Sequence, residues 1–360
     1  MTQTRTTITG PPSPSTTDPL VGTGLPPHAI LWDLATIAAV SRCLHAVAQH
    51  GVADALEPHG TTVDALADRL GLDADALARV LRALAAYGVF DVDLPEVRHT
   101  EASLLLRAHH PMSMGAFAHM MGLPMSWDAL SELPTTLETG RAGVFGLDPD
   151  GLFFYLRGHP EQAGVFDHAM TAKSHADIPL VLDAFDFAAH RSVADIGGGR
   201  GHFLQALTER HPQVNATLVE LPEVIARLSG EARVDGIQLL ASDFFTDPLP
   251  AADVYVLMEI IHDWDDTDAV RILSNIRRSA PDHAIVLVIE TVLSGRSVRD
   301  PAKTLDIVML AVTGGRERTP AEYSSLFERA GFELARVTPT GGGVQVVEGR
   351  AVAASADRTQ

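Results

Sequence analysis

The chain is predicted to be an α/β protein, with a mainly parallel sheet covered by helices, an antiparallel edge, and a small helical module of winged-helix type in front. Three observations predict this. From about residue 179, continuous apolar stretches of strand length alternate with amphipathic helical stretches, the pattern of parallel strands buried on both faces. At 194–201 the run ADIGGGRG places four glycines in five positions between an apolar strand and a helix, where a backbone must turn sharply or approach something closely. Residues 28–98 show helical spacing with start and stop signals, followed by a hairpin-like pair.

Taken in order, residues 1–27 are rich in Thr, Ser, Pro and Gly, lack the apolar core of a signal peptide, and read as a disordered arm. Residues 28–105 form the helical module. Its first stretch, LWDLATIAAVSRCLHAVAQHGVADAL, carries apolar residues on more than one face, so it is expected to be buried on two sides. In the next, Thr61 or Thr62 caps a short helix, Gly71 ends it, and Asp73 or Asp75 starts another. YGVFDVDLPEVRHTEAS supplies a strand pair around a turn. Residues 106–178 are helical and dense in Met and aromatic residues, among them Phe166 and Met170. Ordinary core is the simpler account of that density, and an adaptable pocket for a flat organic ligand is the alternative. Residues 179–350 hold five apolar strands with intervening helices and a closing pair of strands, and 351–360 is a tail.

Composition narrows the function. The chain has 360 residues, 46% hydrophobic and 20% charged, with a formal net charge of −19. That acidity disfavours a nucleic-acid partner, because phosphate binding needs clustered Lys and Arg. The candidate DNA-reading helix opens with Asp73 and Asp75, so the module is better read as a protein-contact or dimerisation unit. No apolar run approaches the ~20 residues of a membrane span. The single cysteine, Cys43, rules out an internal disulfide and a cysteine-built metal cluster. A cytoplasmic protein fits these features.

The informative residues end strands, since open α/β sheets bind ligands beyond the carboxyl ends of their strands. Asp195, Gly197, Gly199 and Gly201 follow D-x-G-x-G-x-G, which differs from the dinucleotide fingerprint and suits an amino-acid tail and a ribose better than a pyrophosphate. Glu220 lies nineteen residues beyond Gly201, where a carboxylate accepts from both hydroxyls of a ribose. Asp243 and Phe244 end the third strand and suit an adenine, one for its amino group and one for its ring. In LMEIIHDWDDTDAV, Asp265 or Asp266 caps a helix and His262 falls just past a strand. A histidine base needs an orienting partner, and Glu290 and Glu317 are the candidates.

Together VADIGGGRG, LVELPEV, SDFF, HDWDD and LDIVMLAVTGGRERTPAEYSSLFERAGF resemble the S-adenosylmethionine-dependent small-molecule O-methyltransferases, over roughly residues 28–350. The class includes plant caffeate and flavonoid enzymes and bacterial aromatic polyketide-tailoring enzymes. The resemblance implies a Rossmann-like domain of seven strands behind a dimerisation domain, hence a homodimer. It also implies a cofactor, S-adenosyl-L-methionine, held by Asp195, Gly197, Gly198, Gly199, Glu220, Asp243 and Phe244. His262 would be the general base flanked by Glu290 and Glu317. Phe166, Met170, Met309 and Asp263 would meet an aromatic acceptor, Trp264 would pack, and no metal is implied. Plant members often carry Lys four residues before the histidine; here that residue is Met258, so any such contact comes from elsewhere. The alternative within the resemblance is a homologue that methylates nitrogen, or that hydroxylates or decarboxylates.

Overall fold

The computed structural model describes residues 26–110, 112–231, 236–296 and 299–352. The expected arm (1–27) lies outside them except for Pro26 and Pro27, and of the tail only 351 and 352 are described.

The N-terminal module contains α1 (Pro27–Gln49), α2 (Val52–Ala55), β1 (Thr61–Thr62), α3 (Val63–Leu70), α4 (Ala74–Ala85), β2 (Phe90–Asp93), β3 (Glu96–His99) and α5 (Glu101–Leu104). The caps fall on expected residues. Thr62 accepts from the N–H of Ala65, Gly71 closes α3 in the left-handed conformation, and Asp73 accepts from Ala76 N–H at 2.8 Å. Strands β2 and β3 form the wing, joined by the two-residue β1 in the order β1-β3-β2. Leu66, Leu77, Leu81, Leu84, Phe90 and Val97 are its buried core. The expectation that the first helix is buried on two sides does not hold: Leu31, Trp32 and Leu34 are all more than half exposed. The helix is also long and apolar enough by composition to cross a membrane, although Asp33 and Arg42 break its apolar residues into shorter runs.

The linker holds α6 (Gly115–Met121), α7 (Pro124–Ser131), α8 (Leu133–Thr139), α9 (Leu152–Gly158) and α10 (Pro160–Ala184). Met120 and Met125 are buried core there, with Phe166 and Met170 packed at the margin of the same cluster. The change of period at 179 falls inside α10. Pro179 lacks the N–H that an interior helical residue donates, yet the helix continues through it to Ala184.

The catalytic-side domain continues with β4 (Ser192–Ile196), α11 (His202–Arg210), β5 (Asn215–Glu220), α12 (Pro222–Glu231), β6 (Ile237–Ala241), β7 (Val254–Met258), α13 (Asp266–Ser279), β8 (Ile285–Glu290), α14 (Pro301–Val312), α15 (Pro320–Ala330), β9 (Phe332–Pro339) and β10 (Gln345–Ala351). The seven-stranded sheet runs β6-β5-β4-β7-β8-β10-β9. Pairs from β6 to β8 are parallel, while β10 lies antiparallel to both β8 and β9. This is the expected Rossmann-like sheet with an antiparallel edge. One face is covered by α13 and α15 through Ile272, Leu273, Leu326 and Phe327, the other by α10 and α11 through Val181, Leu204 and Leu207. After β4 the chain builds outward to β6, then returns to place β7 on the other side of β4. The order therefore reverses between β4 and β7, which puts the crevice beside their carboxyl ends.

Leu273 is fully buried between α13 and the sheet. Leu273→Ala is expected to cost about 2–5 kcal/mol, read as a lower urea midpoint at unchanged slope.

Candidate active site

The glycine turn leaves β4 at the reversal point. Gly197 has φ +73°, and a Cβ there would lie 2.7 Å from Ile260 Cδ1 and 3.4 Å from Phe244 Cε1. A Cβ on Gly198 would sit 2.2 Å from Asp195 Oδ2. The turn is therefore glycine because Asp195 lies beneath it and the loop after β7 lies against it. Glu220 is tied to the same turn: Oε1 accepts from Gly199 N–H at 3.2 Å and Oε2 from Leu221 N–H at 2.7 Å.

Asp195 is fully buried, and both of its carboxylate oxygens lack a partner among the described residues. Burial, then the neighbouring Glu220 charge, raise its pKa to about 7. An orphaned buried carboxyl next to a glycine turn, with open space around Gly199, fits a ligand that brings hydrogen-bond donors or positive charge. Asp243 Oδ1 accepts from Phe245 N–H at 2.8 Å, fixing the loop after β6. Asn275 secures the same loop by donating to the carbonyls of Phe244 (2.8 Å) and Asp247 (2.9 Å). Phe244 and Phe245 both stand edge-on to Trp264, at 6.3 and 4.7 Å. Trp264 is thus a packing residue, as expected. The structure brings Asp195, Gly197, Gly198, Gly199, Glu220 and Phe244 to one crevice.

His262 sits in a single turn, Ile261–Asp263, just past β7. Its Nδ1 is 2.9 Å from Glu317 Oε1. A carboxylate accepts only, so Nδ1 carries a proton, and Nε2 faces away from Glu317 and is the nitrogen that bears the lone pair in the neutral ring. Asp263 Oδ1 lies 3.9 Å from Nε2. Glu290 was a candidate for holding the ring, and here the geometry differs. Its Oε1 accepts from the backbone N–H of His262 at 3.0 Å, and its Oε2 accepts from the Tyr323 hydroxyl. Glu290 holds the main chain of the histidine, and Glu317 holds the ring.

Burial alone would lower the His262 pKa. The Glu317 hydrogen bond and the Asp263, Glu290 and Glu317 charges outweigh it and lift the value to about 9. Burial raises Glu317, against the pull of His262, and raises Asp263 to about 6. The histidine and Glu317 titrate as a coupled pair.

Several supporting residues left little trace in the sequence pattern. Arg318 is fully buried and donates to Ile261 O (3.1 Å), Trp264 O (2.8 Å) and Asp266 Oδ1 (2.9 Å). Gly315 packs so tightly that a Cβ would be 1.9 Å from His262 O. Arg316 N–H donates to that same carbonyl at 2.8 Å, and Asp306 accepts from Glu317 N–H at 2.9 Å. The GGRERT segment thus straps the histidine loop in place. Met258 lies half-buried against the sheet core. The residue after it, Glu259, has φ +57° and is in contact with the ammonium of Lys173, which comes from α10. Of the other expected residues, Met309 is buried, and Phe166 and Met170 lie along α10.

A crevice at the strand reversal, an acid–glycine turn and a carboxylate-held histidine fit an S-adenosylmethionine-dependent transferase. The comparisons with known proteins name the family. Residues 131–333 match the O-methyltransferase domain and residues 32–108 the O-methyltransferase dimerisation domain, so the chain belongs to the S-adenosylmethionine-dependent O-methyltransferase family. Among curated relatives, a phenazine O-methyltransferase of Lysobacter antibioticus is 34% identical over 91% of this chain and 97% of its own length. A mitomycin biosynthesis 6-O-methyltransferase of Streptomyces lavendulae is 32% identical over 86% and 90%. A methyltransferase of calicheamicin biosynthesis, crystallised with S-adenosylhomocysteine, superposes with a TM-score of 0.81 at 34% identity, covering 90% of this chain and 98% of that one. S-adenosyl-L-methionine is accordingly the cofactor.

Replacing the ring-holding carboxylate has a signed consequence. In Glu317→Gln the charge that raises His262 is lost and the bond to Nδ1 becomes a weaker neutral one, while burial remains. Histidine NMR should then show the ring titrating well below its wild-type value; an unchanged titration would remove Glu317 from the account.

Proposed function

We propose that the chain methylates a phenolic hydroxyl of an aromatic small molecule in specialised metabolism, by in-line displacement with His262 as general base. The observation that carries the reading is the His262–Glu317 bond, which fixes the ring so that, in its neutral form, Nε2 is the nitrogen that accepts a proton. S-adenosylmethionine, when bound, supplies a methyl already activated on a sulfonium. The protein has to align an oxygen with that methyl and remove the proton.

A phenol of pKa about 10 is mostly neutral at pH 7. His262 Nε2 takes its proton as the oxygen becomes nucleophilic, and Glu317 stabilises the imidazolium that results. Asp263, beside Nε2, meets the acceptor next to the reacting oxygen. Glu220 holds ribose hydroxyls, Asp195 and the turn Gly197, Gly198, Gly199 receive the amino-acid end, and Asp243 and Phe244 receive the base. Phe166, Met170 and Met309 form an apolar wall, adaptable because methionine is flexible and polarizable. The phenazine and mitomycin relatives support an aromatic acceptor.

The matched dimerisation domain and the exposed apolar residues of α1 support a homodimer. The same partner surface accounts for the apolar length of α1 in a cytoplasmic enzyme, without a membrane.

His262→Ala is expected to bind S-adenosylmethionine normally by calorimetry while losing about 10²–10⁴-fold in single-turnover methylation; wild-type rates would sink the base assignment. Trp32→Glu combined with Leu34→Glu should shift the protein from dimer to monomer in sedimentation experiments.

A further inference from the structure

The base lies among acids. Around His262 stand Glu317 on the strap, Glu290 ending β8 and Asp263 beside it; Glu259, the residue after β7, and Asp177 on α10 face Lys173, and Asp306 on α14 holds the Glu317 N–H. Tyr323 from α15 engages Glu290, and Arg318 is committed to Asp266 and two backbone carbonyls. An imidazole in such company holds its proton, which opposes its use as a base at neutral pH.

Lys173 is the opposing charge. It lies on α10 at the same helical face as Phe166, Met170 and Asp177, spaced four, three and four residues apart. Its ammonium is largely withdrawn from water and contacts Glu259. Glu259 is the single non-glycine residue with positive φ among the described residues. Such a conformation persists where the surroundings impose it; here the carboxylate meets Lys173 of α10. Burial is the largest influence and leaves the Lys173 pKa below its ordinary value, while Asp177, Glu317, Glu290 and Asp263 pull the other way. Direct contact with Glu259 adds to the second side and favours the ammonium form. Lys173 in turn acts on both Asp263 and Glu317.

We propose that Lys173, clamped by Glu259, is a positioning residue that offsets part of the acid charge around His262, so that Nε2 releases its proton more readily than the surrounding carboxylates alone would allow. The apolar wall of α10 and the charge that readies the base are then parts of one helix face. This rests on the reading of His262 as the base, and the test separates the two.

Lys173→Met keeps the length of the side chain and removes the charge; Lys173→Gln serves if that variant does not fold; Lys173→Arg keeps the charge. The measurements are the NMR titration of His262 and the pH profile of kcat/KM with a phenolic acceptor. In Lys173→Met both the titration and the acidic limb should move up by roughly one pH unit, about a tenfold loss at a fixed pH below the limb that is recovered at higher pH. In Lys173→Arg the limb should stay near wild type. A uniform loss at all pH values with an unmoved titration would overturn the proposal and leave Lys173 a structural strut. A titration that moves while the kinetic limb does not would uphold the electrostatic coupling and overturn His262 as the base, and with it the proposed role of Lys173 in catalysis.

Discussion

The structure depends on keeping carboxylates without water around one imidazole. Removing a carboxylate from water is costly unless it is hydrogen-bonded or paired. Glu290 is completely buried, and each of its oxygens has a donor, the His262 N–H and the Tyr323 hydroxyl. Glu317 is almost as buried and meets the ring through one oxygen, the other having no partner among the described residues. That imbalance makes its charge felt at His262. The close approach at Gly315, the buried Arg318 and the Asp306 bond serve to hold the strap at this distance.

The topology then separates the two tasks while keeping them in contact. The glycine turn follows β4 and His262 follows β7, neighbouring parallel strands at the reversal of strand order. Ile260, two residues before His262, fills the space a side chain at Gly197 would need. A shift in the turn is therefore transmitted to the histidine loop through packing. Phe244 and Trp264 bridge the same gap from the far side. The proposed methyl-donor site and the proposed base are in this way referenced to one rigid sheet, the arrangement that positioning catalysis requires.

Much of this was legible in the sequence, because its signals are local. The period change that announces the sheet, the caps at Thr62, Asp73 and Asp265, and the glycine turn each depend on a few adjacent residues. His262 and Glu317 could be paired because both lie in recognisable motifs. The rest required the fold. Tyr323 reads as an ordinary helix residue until β8 brings Glu290 to its hydroxyl. Glu290 looked like a second partner for the ring, and only the register of β7 against β8 shows it bound to the main chain. Lys173 lies 86 residues before Glu259 in a helix that reads as apolar core, so no spacing rule connects them. Pro179 misled in the opposite direction, since tertiary packing carries α10 past a residue that usually ends a helix. The exposed face of α1 had the composition of a buried helix because it is proposed to be covered by a second chain.

The central claim is that His262 removes the acceptor proton as the methyl moves. The most direct measurement compares single-turnover methylation by wild type and His262→Ala across phenols of falling pKa, at one pH. If the histidine is the base, the gap between the two enzymes closes as the phenol becomes ionised without help. A loss of the same size for every phenol, ionised or not, would contradict the account.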